Sequence, residues 1–359
     1  MIGLNTTSRS LLFLAPFFLW GTAMVAMKGT VPHLTPLFLA TLRLFPAGLL
    51  VVAVALALGR ALPQGWRAWL WITAFALVDG TLFQGFLAEG LFRTGAGLGS
   101  VMIDSQPMAV ALLALWLFGE RIGGWGWLGL GLGIGGISLL GLPDVWITTA
   151  AQEVGNRVVT GLALAQGSEP VLAAPLGVTW PAIQWGSLVN NGQWLMLMAA
   201  LAMAIGTILS RYVSRHADPV MATGWHMIMG SVPLALGAWG WETPDVSQLT
   251  WVDYGALAYA TVFGTAIAYA LFFYFAAQGS LTSLSALTFL TPVFALLFGN
   301  LLLHEVLSPI QTGGVFLTLV SIVLINQRDR LSGGGSNPAA APLGLDPLNP
   351  LDPEQRPPA

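Results

Sequence analysis

Five ionisable side chains lie inside long apolar runs: Arg43, Asp79, Glu89, Asp104 and His226, accompanied by the phenols of Tyr269 and Tyr274. A charged group near the centre of a membrane helix costs about 2.5–3.5 kcal/mol on insertion scales, so it normally faces a protein interior or water and marks the path of an ion or solute. Arg43 and Asp104 each lie seven residues from the same end of their apolar segments, which puts both about 10 Å deep at 1.5 Å per residue. Together with Asp79 and Glu89 they predict an aqueous cavity that contacts a polar or zwitterionic solute, with one carboxyl group as a candidate proton carrier. An Arg43–Asp104 ion pair that only locks two helices is the other reading. Glu89, with Arg93 four residues on, is close enough to a helix end to reach water. His226, Tyr269 and Tyr274 are the cavity candidates of the second half of the chain.

Four more residues suggest movement rather than recognition. Pro107 and Pro292 fall inside apolar runs and each is followed, thirteen residues later, by an acid, Glu120 and Glu305. A proline removes a backbone donor and bends its helix, so these positions are candidate kinks. Glu120 and Glu305, at helix ends, are either solvated interfacial residues or gate contacts.

Other chemistry is thinly represented. The absence of cysteine removes disulfides, thiolate metal sites and cysteine nucleophiles. His304-Glu305 has no second histidine at metalloprotease spacing, and no paired-aspartate or phosphate-binding loop motif occurs. No metal, cofactor or direct nucleotide drive is therefore expected. The net charge of −3 offers no basic face for nucleic acid.

The elements that must hold these residues are membrane helices. Of 359 residues 55% are hydrophobic and 8% charged, against about 25% charged in an ordinary soluble domain. A span needs about 20 mostly apolar residues. Ten segments qualify, roughly 11–28, 37–58, 68–91, 97–118, 122–141, 191–211, 219–240, 252–278, 282–303 and 308–326. The first is a permanent span rather than a signal peptide, because no small-x-small cleavage site follows it and Lys28 closes it. Residues 142–190 hold no further span, and the Gly- and Pro-rich tail is expected to be disordered. With the N-terminus inside, the inner face receives eight arginines (9, 60, 67, 121, 211, 215, 328, 330), and the outer loops only Lys28, Arg93 and Arg157. That bias predicts both termini in the cytoplasm and a multi-pass protein of the plasma (inner) membrane.

The chain also echoes itself. At a shift of 185 residues Ser100, Pro107, Leu112, Leu117 and Glu120 meet Ser285, Pro292, Leu297, Leu302 and Glu305. Gly21 meets Gly206 at the same shift, and a two-residue slip then sets Pro36 on Pro219 and Arg43 on His226. With five spans in each half, the second half must be inverted relative to the first, an arrangement typical of carriers with a midplane site open alternately to each side. Asp104 is not duplicated; its counterpart is Phe289.

The segments LWGTAMVAMKGTVPHLTPLFLATLR (19–43), LFGER (117–121), WGWLGLGLGIGGISLLG (125–141) and SLSALTFLTPVFALLFGNLLLHE (283–305) carry a resemblance. On them the chain resembles an EamA-type member of the drug/metabolite transporter superfamily. The resemblance implies an all-α polytopic membrane protein with ten transmembrane helices in two inverted five-helix repeats around a central cavity. It divides the chain into repeats at 1–141 and 191–327, an extracytoplasmic insertion at 142–190 that departs from the compact family pattern, and a cytoplasmic tail at 328–359. The activity implied is secondary transport of small metabolites, amino acids or related compounds first, often outward. The expected partners are that solute and the lipid bilayer, with protons and a second copy of the chain left open. A channel or uncoupled facilitator, and more remotely an intramembrane enzyme, are the competing readings.

Overall fold

A computed structural model describes residues 6–118, 123–141, 190–278 and 290–331, with Gln152 and Thr288 besides. Among these residues every regular element is helical. Glu120, the 142–190 segment apart from Gln152 and Asn190, and the tail beyond Leu331 lie outside the described residues.

The first half runs α1 (Thr6–Thr30), α2 (Pro36–Ala57), α3 (Gly65–Phe75), a π-helical segment Ala76–Phe83, α4 (Gln84–Arg93), α5 (Ala96–Ile103), α6 (Gln106–Phe118) and α7 (Gly124–Gly141). The second runs α8 (Gly192–Val213), α9 (Pro219–Trp241), α10 (Trp251–Thr261), a second π segment Val262–Ile267, α11 (Ala268–Gln278), α12 (Leu290–Leu303) and α13 (Pro309–Leu331). Five continuous helical stretches among the described residues are long and apolar enough to cross a membrane: Leu12–His33, Pro36–Ala57, Gly65–Arg93, Gly192–Val213 and Trp251–Ala277.

The starts of these helices follow local rules. Pro36, Pro219 and Pro309 occupy the first helical position, where a missing N–H costs nothing. Asp218 caps α9 by accepting from the backbone N–H of Val220 and Met221, both at 3.0 Å. Thr250 and Asp253 form a reciprocal capping box at the start of α10.

One expected helix is two. The continuous span anticipated over 97–118 breaks at Asp104–Ser105 into α5 and α6, with Pro107 in the first turn of the second piece. Pro107 has no N–H to offer the carbonyl four residues back. Ser105 instead donates its hydroxyl to the Met102 carbonyl at 2.6 Å and its N–H to the same oxygen at 3.2 Å. Proline here begins a helix rather than kinking one, and Asp104 becomes the last residue of a helix end inside the bundle.

The two halves exchange partners reciprocally. α2 packs on α9 and α7 on α13, while α1 packs on α12 and α8 on α5 and α6. α1 also packs on α10 and α11, as α8 does on α3 and α4. Small residues permit these approaches, since lipid-embedded helices associate through close packing. A Cβ at Gly80 would come within 2.9 Å of the Gly230 Cα, and one at Gly136 within 2.7 Å of the Thr318 backbone nitrogen.

At one end of the bundle, acids of the second half close on the first. The Glu242 carboxylate accepts from the N–H groups of Leu37 and Phe38 at 2.8 and 3.0 Å, capping α2. Glu305 accepts from Ala96 and Gly97 at 2.7 and 3.0 Å, capping α5. His33 Nδ1 lies 3.0 Å from Asp253. A left-handed residue, His304 at φ 56°, turns the chain so that Glu305 comes back over the end of α12. Exposed tryptophans ring this end (Trp239, Trp241, Trp251) and the opposite one (Trp66, Trp116), as interfacial belts do.

Candidate functional site

Between the halves lies a small cavity of about 40 Å³, room for a few waters. Arg43 from α2 and Asp104 from the α5–α6 break both line it, 3% and 5% exposed. Ser100 of α5, Trp20 of α1, Tyr269 of α11 and Thr291 of α12 contribute its other polar atoms, and Met24, Met27, Leu87 and Met203 much of the apolar wall.

Arg43 is held by neutral groups. Its Nη1 donates to Thr265 Oγ1 at 2.8 Å and its Nη2 donates to Gln84 Oε1. Gln84 Nε2 donates onward to the Tyr269 hydroxyl at 2.7 Å, and Thr265 Oγ1 donates to the Ala260 carbonyl at 2.8 Å. That last bond spans five residues, because Thr265 sits in the second π segment and finds its acceptor one residue further back than in an α-helix. The chain of bonds fixes the guanidinium plane while leaving Nε without a partner. Among the described residues Asp104 accepts from Ser100, at 3.1 Å. The Arg43–Asp104 lock therefore does not form. A guanidinium and a carboxyl group face one cavity and, among the described residues, neither is paired with an oppositely charged side chain. Trp20 and Thr291 also line the cavity, and among the described residues Trp20 Nε1 and Thr291 Oγ1 have no hydrogen-bond partner.

The remaining candidates separate from this group. Asp79, in the first π segment, meets His226 of α9 with Nε2 3.2 Å from Oδ2, and both side chains are closed to solvent. Neither line the cavity. Glu89 pairs with Arg93 on the same turn of α4, both partly exposed. Tyr274 is half-buried with its ring against Phe275. Glu305 caps α5, as described, and Pro292 is buried in the first turn of α12. Glu120 lies outside the described residues.

Sequence reasoning missed Trp20, Gln84, Ser100, Thr265 and Thr291. One signal was available: VDGT (78–81) and VFGT (262–265) are near-copies in the third apolar segment of each half, and both fall in π segments. π-bulges are frequent at functional sites because they re-aim side chains and free backbone groups.

Apolar helices of spanning length, aromatic rings at both ends and a charged cavity buried between two exchanging halves define a multi-pass membrane protein. Residues 7–142 and 190–327 match the EamA-like transporter family. An uncharacterized transporter of Synechocystis sp. is 57% identical over 328 residues, covering 91% of this chain and 92% of its own. A chloroplastic WAT1-related protein of Arabidopsis thaliana is 48% identical over 317 residues, covering 87% of this chain and 68% of its own. A crystal structure superposes with a TM-score of 0.61 at 17% identity, over 91% of this chain and 99% of that one, a likeness of fold. The chain belongs to the EamA-like transporter family, within the drug/metabolite transporter superfamily.

Proposed function

We propose that the protein is a secondary transporter that carries small zwitterionic metabolites, amino acids or close relatives, outward across the plasma membrane by alternating access. The observation that carries this reading is the placing of Arg43 and Asp104 on one cavity wall with, among the described residues, no ion partner for either. A carboxylate suits the Arg43 donors that Thr265 and Gln84 leave free, Nε among them, and an ammonium group fits Asp104. Buried charges held this way are costly until a ligand of opposite charge satisfies them. Trp20 and the methionine wall offer the apolar contact that a side chain would take.

In this reading ten helices form two inverted repeats, 1–141 and 191–327, with the 142–190 insertion outside and both termini, including the 328–359 tail, in the cytoplasm. The acid-capped end is then the outer face. Alternating access then requires each end to open in turn onto this cavity. Pro107, with the break at Asp104–Ser105, and its repeat counterpart Pro292 are the hinges, and Glu120 and Glu305 the latches of the two faces.

The test is purified protein in liposomes, screened with a labelled amino-acid panel for saturable uptake and counterflow. Saturation with counterflow, lost on Asp104→Asn, is the expected outcome. Saturable uptake unchanged in Asp104→Asn overturns the assignment of the site, and flux that never saturates makes the protein a channel instead.

A further inference from the structure

The two π segments receive equivalent partners but unequal chemistry. Arg43 of α2 reaches across to Thr265 in the second π segment, and its counterpart His226 of α9 reaches across to Asp79 in the first. One copy of the arrangement lines the cavity and the other is sealed away from it. We propose that the sealed copy, Asp79–His226, is a proton-binding site distinct from the solute cavity and supplies the coupling ion of transport. This rests on the transporter reading for its role, though not for its chemistry.

The argument begins with how poorly the pair is satisfied. Among the described residues Asp79 Oδ1 and His226 Nδ1 have no hydrogen-bond partner, and the 3.2 Å approach of Oδ2 and Nε2 to each other is the polar contact the pair makes. Structural buried carboxylates are as a rule fully hydrogen-bonded. Here the surroundings are apolar instead: the Phe75 ring lies 4.2 Å from the imidazole, Phe273 meets it edge-on at 5.9 Å, and Gly206 of α8 presses bare backbone on Asp79. Among the described titratable groups near the pair, Tyr269 of α11 packs its ring on Phe273, which in turn meets the imidazole. Arg43 itself is tied to Thr265 and Gln84. α8 offers Gly206 and Thr207 there, and its arginine, Arg211, is exposed near the far end of the helix.

With Asp79 ionised and His226 neutral the pair carries one net negative charge. Uptake of one proton from water forms an O–H or N–H bond and brings the pair to zero net charge, either as an ion pair or as two neutral groups. Release breaks that bond and returns the proton to water. A net charge with so few polar contacts is far costlier in a dry site than a neutral pair, so the buried arrangement described suits the loaded state. Communication with the cavity is short. Phe83 ends the same π segment and lines the cavity, and Gln84, the next residue, bonds both Arg43 and Tyr269.

Infrared difference spectra of the purified protein, recorded as the pH is stepped from alkaline to acid, read the carboxyl groups without any solute. The expected result is a protonated-carboxyl band with a component that is lost in Asp79→Asn, shifted in its midpoint by His226→Gln and retained in Asp104→Asn. An Asp79→Asn spectrum identical to wild type, or a component lost only in Asp104→Asn, overturns the proposal. So does a wild-type spectrum with no carboxyl change, which decides the matter even where Asp79→Asn fails to fold. Absence of solute transport in liposomes would sink the carrier reading and leave this titration standing.

Discussion

At the scale of single residues, the structure separates what charge can do from what it merely tolerates. Arg43 and Asp104 were legible in the sequence because an ion in an apolar run has so few places to be. Their partners were not. Gln84, Thr265, Ser100 and Thr291 are uncharged, inexpensive in a helix, and only a third dimension shows them meeting Arg43, Asp104 or the cavity. The ion pair that charge alone suggested is absent because the α5–α6 break leaves Asp104 bonded to Ser100, while Gln84 and Thr265 already occupy the guanidinium. The fork matters for that reason. Arg43→Lys keeps the charge but replaces a planar donor set with a compact one, and it cannot hold Gln84 and Thr265 in the same geometry. Losing a charged hydrogen bond is worth about 1.5–3 kcal/mol, so affinity should fall about tenfold or more at 1.4 kcal/mol per decade. The measurement is the half-saturating solute concentration in liposomes. An unchanged value would mean that Arg43 serves the fold and not the solute.

At the scale of elements, hydropathy located the helices and mistook their continuity. Segments such as 37–58 and 191–211 appear within a residue or two as α2 and α8, since 20 apolar residues leave the backbone no alternative in lipid. The break before Pro107 and the two π segments were hidden because average hydropathy carries no information on hydrogen-bond register. Only the VDGT/VFGT echo hinted at the latter. Glycine is likewise ambiguous in sequence, since GLGLGIGG (129–136) reads as uniform. In the fold it is not. A Cβ at Gly136 would strike Thr318 and Gly314 on α13, while one at Gly131 would meet nothing within 4 Å. Gly136→Ala should therefore destabilise by about 1–3 kcal/mol through overpacking. Gly131→Ala should be neutral or slightly stabilising, as alanine is the better helix former. Thermal unfolding of the two purified variants in one detergent checks the pair, and equal midpoints would contradict the α7–α13 seam.

At the scale of the whole molecule, duplication explains both the economy of the fold and the difficulty of reading it. The repeated proline and glutamate mark a frame that each half shares, and the reciprocal packing of α1 on α12 and α8 on α5 follows from it. What duplication cannot announce is which copy has been specialised, because the differences (Asp104 against Phe289, Arg43 against His226) acquire meaning only once the partners of each are known. The same asymmetry governs the closed end. Three contacts there join second-half acids to the first half, and Glu305 supplies two charge-assisted bonds to the start of α5. If that end is a gate, Glu305→Ala removes a latch worth at least the 1.4 kcal/mol or so that equals tenfold in an equilibrium, and should raise the open population about tenfold. The native chain has no cysteine, so a single Thr291→Cys, whose side chain lines the cavity, reports access without background. A membrane-impermeant maleimide added from the outer side should label it about tenfold faster when Glu305→Ala is present. Equal rates with and without Glu305 would leave the capped end as a fixed wall, and would move the search for the gate to the opposite face.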